Sequence, residues 1–569
     1  MKFPRGLASG LQGLTLAVLI GHVTEVNATP LPQSPSPRSK TNVPLPQGPV
    51  QGSVDSYGNH VFLGIPFADT TGGDNRWKAP QDVKKLAPGK VFNATKYGPT
   101  CPQAISGTTY SQQGEDCLNL NIWVPASGCK SKRDASPPHA PAGLHCARSP
   151  PPGPPGPPRC TGLPVFVYMY GGAMVTGSSS NPAYVGTNFA RKCVVFVSFN
   201  TRESLWAYPN SAELSGVQNF GILDVEKALQ WVRDNIAAFG GDPDRIVFGG
   251  HSSGSVQVDH YLWNHPDTWL AGAVQMSANA KSGPAVAPTN EALDLVAAQV
   301  NCPTGTGQLA CLRKVDVYAF QTAAFNASLN TYFTPNIDNQ TRYRDYAARF
   351  AAGGYASHVP LLTGNSDQEG AIFGLVYGSE NANFSQWINT YDADIANVPD
   401  SVLEAAYKSA NYSSVSAMSG AQYGDARFFC PVDYLINLRS AKQNTWAYRF
   451  FDQYPTGLPV SGPTHGTEIP YFFGGNEAFA GISGVTQAQQ AMADFQNNWF
   501  VAWIKNPAAG PGWAKVTRTR GPLAKIGVPG NDTAIEMANS ADFNARCEKV
   551  YDPYLAAYPV IQSVTKNNI

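Results

Sequence analysis

Arg245-Ile246-Val247-Phe248 ends on two glycines, and the residues from Ser255 to Trp263 can run on as a helix. Between them, Gly250-His251-Ser252-Ser253-Gly254 reads G-x-S-x-G. On its own this pentad also describes an ordinary Gly/Ser turn. A buried strand before it and a helix after it narrow the choice. Strand, sharp turn and helix form an elbow in which the serine backbone is strained and its neighbours must be small, which presents the Ser252 hydroxyl as a nucleophile.

The same alternation runs through the rest of the chain. Val165 to Met169, Cys193 to Phe199, Ile246 to Phe248 and Val359 to Leu362 read as strands, and Ile222 to Ala238 carries apolar residues at helical spacing. Strands alternating with helices imply an α/β fold with a large, mostly parallel central sheet flanked by helices.

Lys2 and Arg5, an apolar stretch from Leu11 to Ile20, and Val26-Asn27-Ala28 mark residues 1–28 as a secretory signal. Residues 29–45 are Pro/Ser-rich and read as a flexible leader, and length alone would divide the rest into three or four domains. No later stretch is apolar for long enough to span a bilayer, and the C-terminus lacks a lipid-anchor signal, so no stable membrane anchor is expected. Secretion also suits ten cysteines and sequons at Asn93, Asn326, Asn339, Asn383, Asn411 and Asn531. A net charge of zero gives no basis for nucleic acid as a partner. Residues 130–162 are too rich in Pro and Gly for a helix or an interior strand. They are either a surface insertion between two strands or an error in the gene model.

A serine hydroxyl needs a histidine to take its proton and a carboxylate to orient that histidine. In elbow-type hydrolases the chain order is serine, acid, histidine. Of nine histidines, His465 alone lies far downstream in a Gly/Pro-rich loop, PVSGPTHGTEIPYFFG. The segment HVPLLTGNSDQEGAIFG offers Asp367 and Glu369 just past a strand, and the residues alone do not separate the two. Backbone donors for a tetrahedral oxyanion can come from Gly171-Gly172-Ala173 after the strand LPVFVYMY and from Ser253. Nothing in this chemistry calls for a metal or a cofactor.

Taken together, these segments resemble the type-B carboxylesterases, the family of the cholinesterases and the large fungal lipases. The likeness is carried by FLGIPFA (62–68), GEDCLNLNIWVP (114–125), QNFGILDVEKALQWVRDNIAAFGGDP (218–243), SDQEGAIFG and HGTEIPYFFG. It implies an α/β-hydrolase fold, one catalytic domain over 46–569 in place of several, and a secreted member of fungal type. It selects Glu369 over Asp367, makes Ser252, Glu369 and His465 the catalytic residues, and assigns the oxyanion hole to Gly172, Ala173 and Ser253. It also implies disulfides Cys101–Cys117, Cys302–Cys311 and Cys430–Cys547. Cys193 reads as a buried thiol within its strand, and Cys129, Cys146 and Cys160 receive no assignment.

The chain departs from the family pattern where substrate would bind. Ala173 stands in place of a glycine, and His251 precedes the serine where the family often carries Glu. The loop between Cys101 and Cys117 holds fifteen residues with Tyr110 as its only aromatic, too little for a choline-stacking site or a long lid. The expectation is a carboxylesterase acting on small, soluble, moderately apolar esters. A triacylglycerol lipase of the same mechanism is the alternative. A catalytically idle binding member of the family is disfavoured because no catalytic residue is missing.

Overall fold

The computed structural model describes residues 41–103, 112–126, 129 and 162–562, less positions 283–284, 287–288, 327–332, 379–380, 382, 392–397, 456, 480, 518 and 557–560. The expected signal, nearly all of the leader, Tyr110, Cys146 and Cys160 lie outside the described residues. The last residues of the stretch expected to be a leader pack on the rest of the chain. Asn42–Val43 already pairs antiparallel with Val50–Gln51, and Val43 and Leu45 are buried.

An eleven-stranded sheet organises the molecule. In chain order its strands are β1 (Ser53–Val54), β2 (His60–Pro66), β3 (Asn119–Val124), β4 (Leu163–Met169), β5 (Val195–Phe199), β6 (Gly241–His251), β7 (Gly272–Met276), β8 (Leu361–Ser366), β9 (Thr445–Phe450), β10 (Pro522–Val528) and β11 (Asn531–Asn539). Across the sheet the order is 11-10-9-8-7-6-4-5-3-2-1. From β10 to β5 every neighbouring pair is parallel, while the strands at both edges pair antiparallel.

Central parallel strands are covered on both faces, so they read as unbroken apolar runs. All five residues of VFVSF in β5 are buried, as are all but the first of LPVFVYM in β4. Successive side chains point to opposite faces. Helix α1 (Phe220–Asn235) runs into a 3₁₀ turn at Ile236, and both Ile236 and Val165 press on Gly241. Phe166, on the other face, meets Phe500 with ring centroids 5.3 Å apart. Phe500 belongs to α6 (Gln487–Lys505). Four helices of the site lie between these two in the chain: α2 (Ser253–Asn264), α3 (Ala371–Gly378), α4 (Val415–Gly424) and α5 (Cys430–Arg439).

Among the described residues, four disulfides join Cys101 to Cys117, Cys129 to Cys193, Cys302 to Cys311 and Cys430 to Cys547. The second corrects the reading of Cys193 as a buried thiol in a strand. β5 starts only at Val195, and Cys193 stands in the turn before it with φ +61°. Its amide bonds the Ala190 carbonyl oxygen at 3.0 Å, closing that turn and leaving the side chain half-buried at the end of the sheet.

Candidate active site

Ser252 occupies the single-residue corner between β6 and α2, with φ 55° and ψ −124°. That conformation is costly for a residue with a side chain and survives only where the surroundings enforce it. The flanking glycines show how they do so. A Cβ on Gly250 would lie 2.5 Å from the Gly254 carbonyl, and one on Gly254 would lie 2.3 Å from the Met169 carbonyl oxygen. Backbone therefore packs on backbone at both positions, and the Ser252 amide bonds the Met276 carbonyl at 2.8 Å.

The loop after β4 lies against the same corner. A Cβ on Gly171 would stand 2.7 Å from Ser252 Cβ, so this loop can approach only as glycine. Gly172 follows at φ +143°, then Ala173 and Met174 at φ +58° and +63°. Three consecutive left-handed residues turn the amides of the loop away from strand pairing. Met174 anchors the far side, packing on Tyr208, Ile222 and Val256 and accepting the Ser204 amide at 2.7 Å. Gln103, from the Cys101–Cys117 loop, bonds the backbone of Gly177 in both directions, at 2.8 and 2.9 Å. Ser253 begins α2, where first-turn amides have no partner within the helix and the helix dipole favours negative charge.

His465 reaches the serine from the loop after β9. Its Nε2 lies 2.8 Å from Ser252 Oγ and its Nδ1 lies 2.6 Å from Glu369 Oε2. A carboxylate only accepts, so Nδ1 carries the proton and Nε2 is free to accept the serine hydroxyl. Glu369 is 0% exposed and also accepts the Ser366 amide at 2.9 Å and Asn365 Nδ2 at 3.3 Å. Asp367 does not share the site. It pairs with Arg449, Nε to Oδ1, at 2.7 Å. The acid loop and the histidine loop are laced together: the Gln368 amide donates to the Pro463 carbonyl at 2.9 Å and the Ile372 amide to Thr464 Oγ1 at 3.1 Å.

Three further groups stand at this site, of which only His251 figured in the sequence reading, as a departure from the family pattern. Glu468, one turn past His465, is buried and accepts the hydroxyls of Ser277 and Ser366. Burial first, and the neighbouring Glu369 second, push its pKa up to about 7. His251 faces His465 with ring centroids 4.5 Å apart. Phe428 lies 4.4 Å from His465 by the same measure, held by a π-helical turn, Asp425–Phe429, between α4 and α5. Glu468 stands within the quoted HGTEIPYFFG, so its position was visible although its burial was not.

A model of the carboxylesterase family matches residues 39–545, and the chain belongs to that family. Membership implies hydrolysis of carboxylic esters. Among its relatives, the para-nitrobenzyl esterase of Bacillus subtilis (strain 168) is 28% identical over 81% of this chain and 89% of its own length. The chlorogenic acid esterase of Aspergillus niger is 26% identical over 87% of this chain and 88% of its own. A secreted lipase of Arthroderma benhamiae is 27% identical over 75% of this chain and 76% of its own. A solved Geobacillus stearothermophilus carboxylesterase superposes with a TM-score of 0.72 at 22% identity, covering 90% of this chain and 100% of that one. The fold is thereby that of the α/β-hydrolases.

Proposed function

We propose that the protein is a secreted serine carboxylesterase that works through an acyl-enzyme on Ser252. The observation that carries this reading is the line from Ser252 Oγ to His465 Nε2 (2.8 Å) and from Nδ1 to Glu369 (2.6 Å). Ser252 Oγ attacks the ester carbonyl as His465 Nε2 takes its proton. Glu369 holds the imidazole in the tautomer that can accept, and its charge stabilises the imidazolium that forms. The amides of Gly172, Ala173 and Ser253 receive the developing oxyanion, each such donor being worth about 3 kcal/mol of barrier. His465 returns the proton to the leaving alcohol, and a water activated by the same imidazole then releases the acid. The residues from 46 onward act as one catalytic unit.

Secretion is supported by the four disulfides and by the secreted relative from Arthroderma benhamiae. No helix among the described residues is long and apolar enough to cross a membrane. Asn93, Asn339, Asn383 and Asn411 are exposed, which suits them as glycosylation sites. The test is hydrolysis of 4-nitrophenyl esters from two to sixteen carbons, below and above micelle formation, with Ser252→Ala as control. Activity on short soluble esters that vanishes in the variant is expected. A rate that climbs only with long chains and micelles would replace esterase by lipase, and an active Ser252→Ala would overturn the mechanism.

A further inference from the structure

The turn whose amides face the oxyanion is held at both ends by residues that take no part in the steps above. Tyr170 stands just before Gly171, and Met174 just after Ala173. The Tyr170 hydroxyl donates to Glu203 Oε1 at 3.0 Å and accepts the Thr201 amide at 3.2 Å. The Met174 carbonyl accepts the Ser204 amide at 2.7 Å. Two consecutive residues of the segment after β5, Glu203 and Ser204, therefore grip the two ends of Gly171-Gly172-Ala173. Where the loop turns back, Gly177 presses on the Tyr170 ring: a Cβ there would lie 2.3 Å from Cδ2.

Glu203 is 3% exposed, and among the described residues no cation pairs with it. Arg202, its neighbour in the chain, is committed to Asp224 at 2.6 Å. Burial pushes the Glu203 pKa well above the ordinary glutamate value, against the pull of the Tyr170 and Thr201 hydroxyls. In the neutral acid the proton sits on Oε2, which leaves Oε1 to accept Tyr170 Oη and, at 3.1 Å, Thr201 Oγ1.

Resting on the esterase reading, we infer that Glu203 and Tyr170 are positioning residues for the oxyanion hole: the buried carboxyl, through the tyrosine hydroxyl, fixes the direction in which the Gly172 and Ala173 amides point. Close packing of Gly171 on Ser252 sets how near the turn comes to the nucleophile, and the grips at its two ends set its rotation. With the carboxyl gone, the Tyr170 hydroxyl falls back on the Thr201 carbonyl, 3.4 Å away, and the turn follows it. Such a shift weakens the hold on a tetrahedral oxyanion more than on a planar ester, so it is read in kcat rather than in KM.

Substitutions at the two positions test this on a short 4-nitrophenyl ester. Active sites are titrated with a phosphonate, so that kcat counts folded molecules only. Glu203→Ala should lower kcat by about 10- to 100-fold with KM within about threefold. It should weaken a trifluoromethyl ketone, which binds as a tetrahedral oxyanion, by the same factor as kcat/KM. Glu203→Gln keeps a neutral acceptor at Oε1 and should stay within about threefold of the natural protein on both counts. Tyr170→Phe should show the same split as Glu203→Ala. The double variant should lose no more than about threefold beyond the worse single one, since both act through one bond. A folded Glu203→Ala that loses only Tm, with kcat and ketone affinity unmoved, overturns the inference. So does a Glu203→Gln as damaged as Glu203→Ala. If Glu203→Ala does not fold, Tyr170→Phe decides by the same split. If the natural protein turns over no ester at all, the esterase reading itself has failed and this one with it.

Discussion

The two halves of the site are built by opposite means. On the serine side, backbone holds backbone: Gly250, Gly254 and Gly171 leave no room for a Cβ, and Ser252, Ala173 and Met174 sit at positive φ. On the histidine side, side chains do the holding. Glu369 and Phe428 meet His465 from the loop after β8 and from the turn before α5, while Glu468, on the loop of His465 itself, is held by the hydroxyls of Ser277 and Ser366. A nucleophile must keep one strained shape, which local sequence can enforce. A base must arrive from another part of the chain, and only long-range packing can deliver it.

Substitutions can break that contrast. Ser252→Ala should remove activity by a factor of about 10⁵ to 10⁶ in kcat while leaving Tm unchanged, as loss of a nucleophile does elsewhere. Glu369→Gln should cost about 10⁴ in kcat, since the wrong tautomer is then favoured. Asp367→Asn, two residues away, should stay within about threefold in kcat and cost stability instead, about 1 kcal/mol by denaturant unfolding. Equal losses at the two acids would show that their division of roles is misread.

Covalent ties should weigh on the histidine side. Cys430–Cys547 closes a separation of 117 residues two positions from Phe428, against 9 for Cys302–Cys311. Replacing each pair by alanine should cost about 5 and about 2.6 kcal/mol respectively, by urea unfolding. Gly254→Ala should cost about 3 kcal/mol on the serine side, because its Cβ would strike main-chain carbonyls that cannot swing away.

The remaining effects are in pH, and they have opposite signs. Glu468 keeps its proton up to about 7 in the folded chain, against 4.5 for an ordinary glutamate. Its contribution therefore falls as pH rises through that window. Glu468→Gln should narrow the gap in Tm between pH 5 and pH 8. His260, on α2 and held to about 3 mainly by burial, works the other way. The unfolded chain takes its proton near 6.5 and the folded chain does not, so stability falls as pH drops below that value. His260→Gln should flatten the acid side of the same curve.

The contrast also explains what could be read from residues alone. The β6–Ser252–α2 corner was visible because strand, glycines and helix are contiguous, although α2 starts at Ser253 rather than Ser255. Asp367 and Glu369 could not be told apart by their own surroundings in the chain. What separates them is Arg449, 82 residues from one, and His465, 96 residues from the other. The family resemblance supplied that choice. Glu468 went without a role because its burial depends on hydroxyls 191 and 102 residues away. Cys193 was misread for a more local reason: apolar residues follow it closely, and the turn that ends the preceding helix leaves no periodic mark.

The Cys129–Cys193 bond lies at the end of the sheet where β4 and β5 begin, and Ser252 lies where β4 and β6 end. Seven residues of β4 separate the two poles, about 20 Å at the usual rise of a strand. The chain passes Cys129 and enters β4 at Leu163, so this bond fixes both of those points at the pole remote from the chemistry, and reducing it would loosen the start of β4 and β5 without touching Ser252.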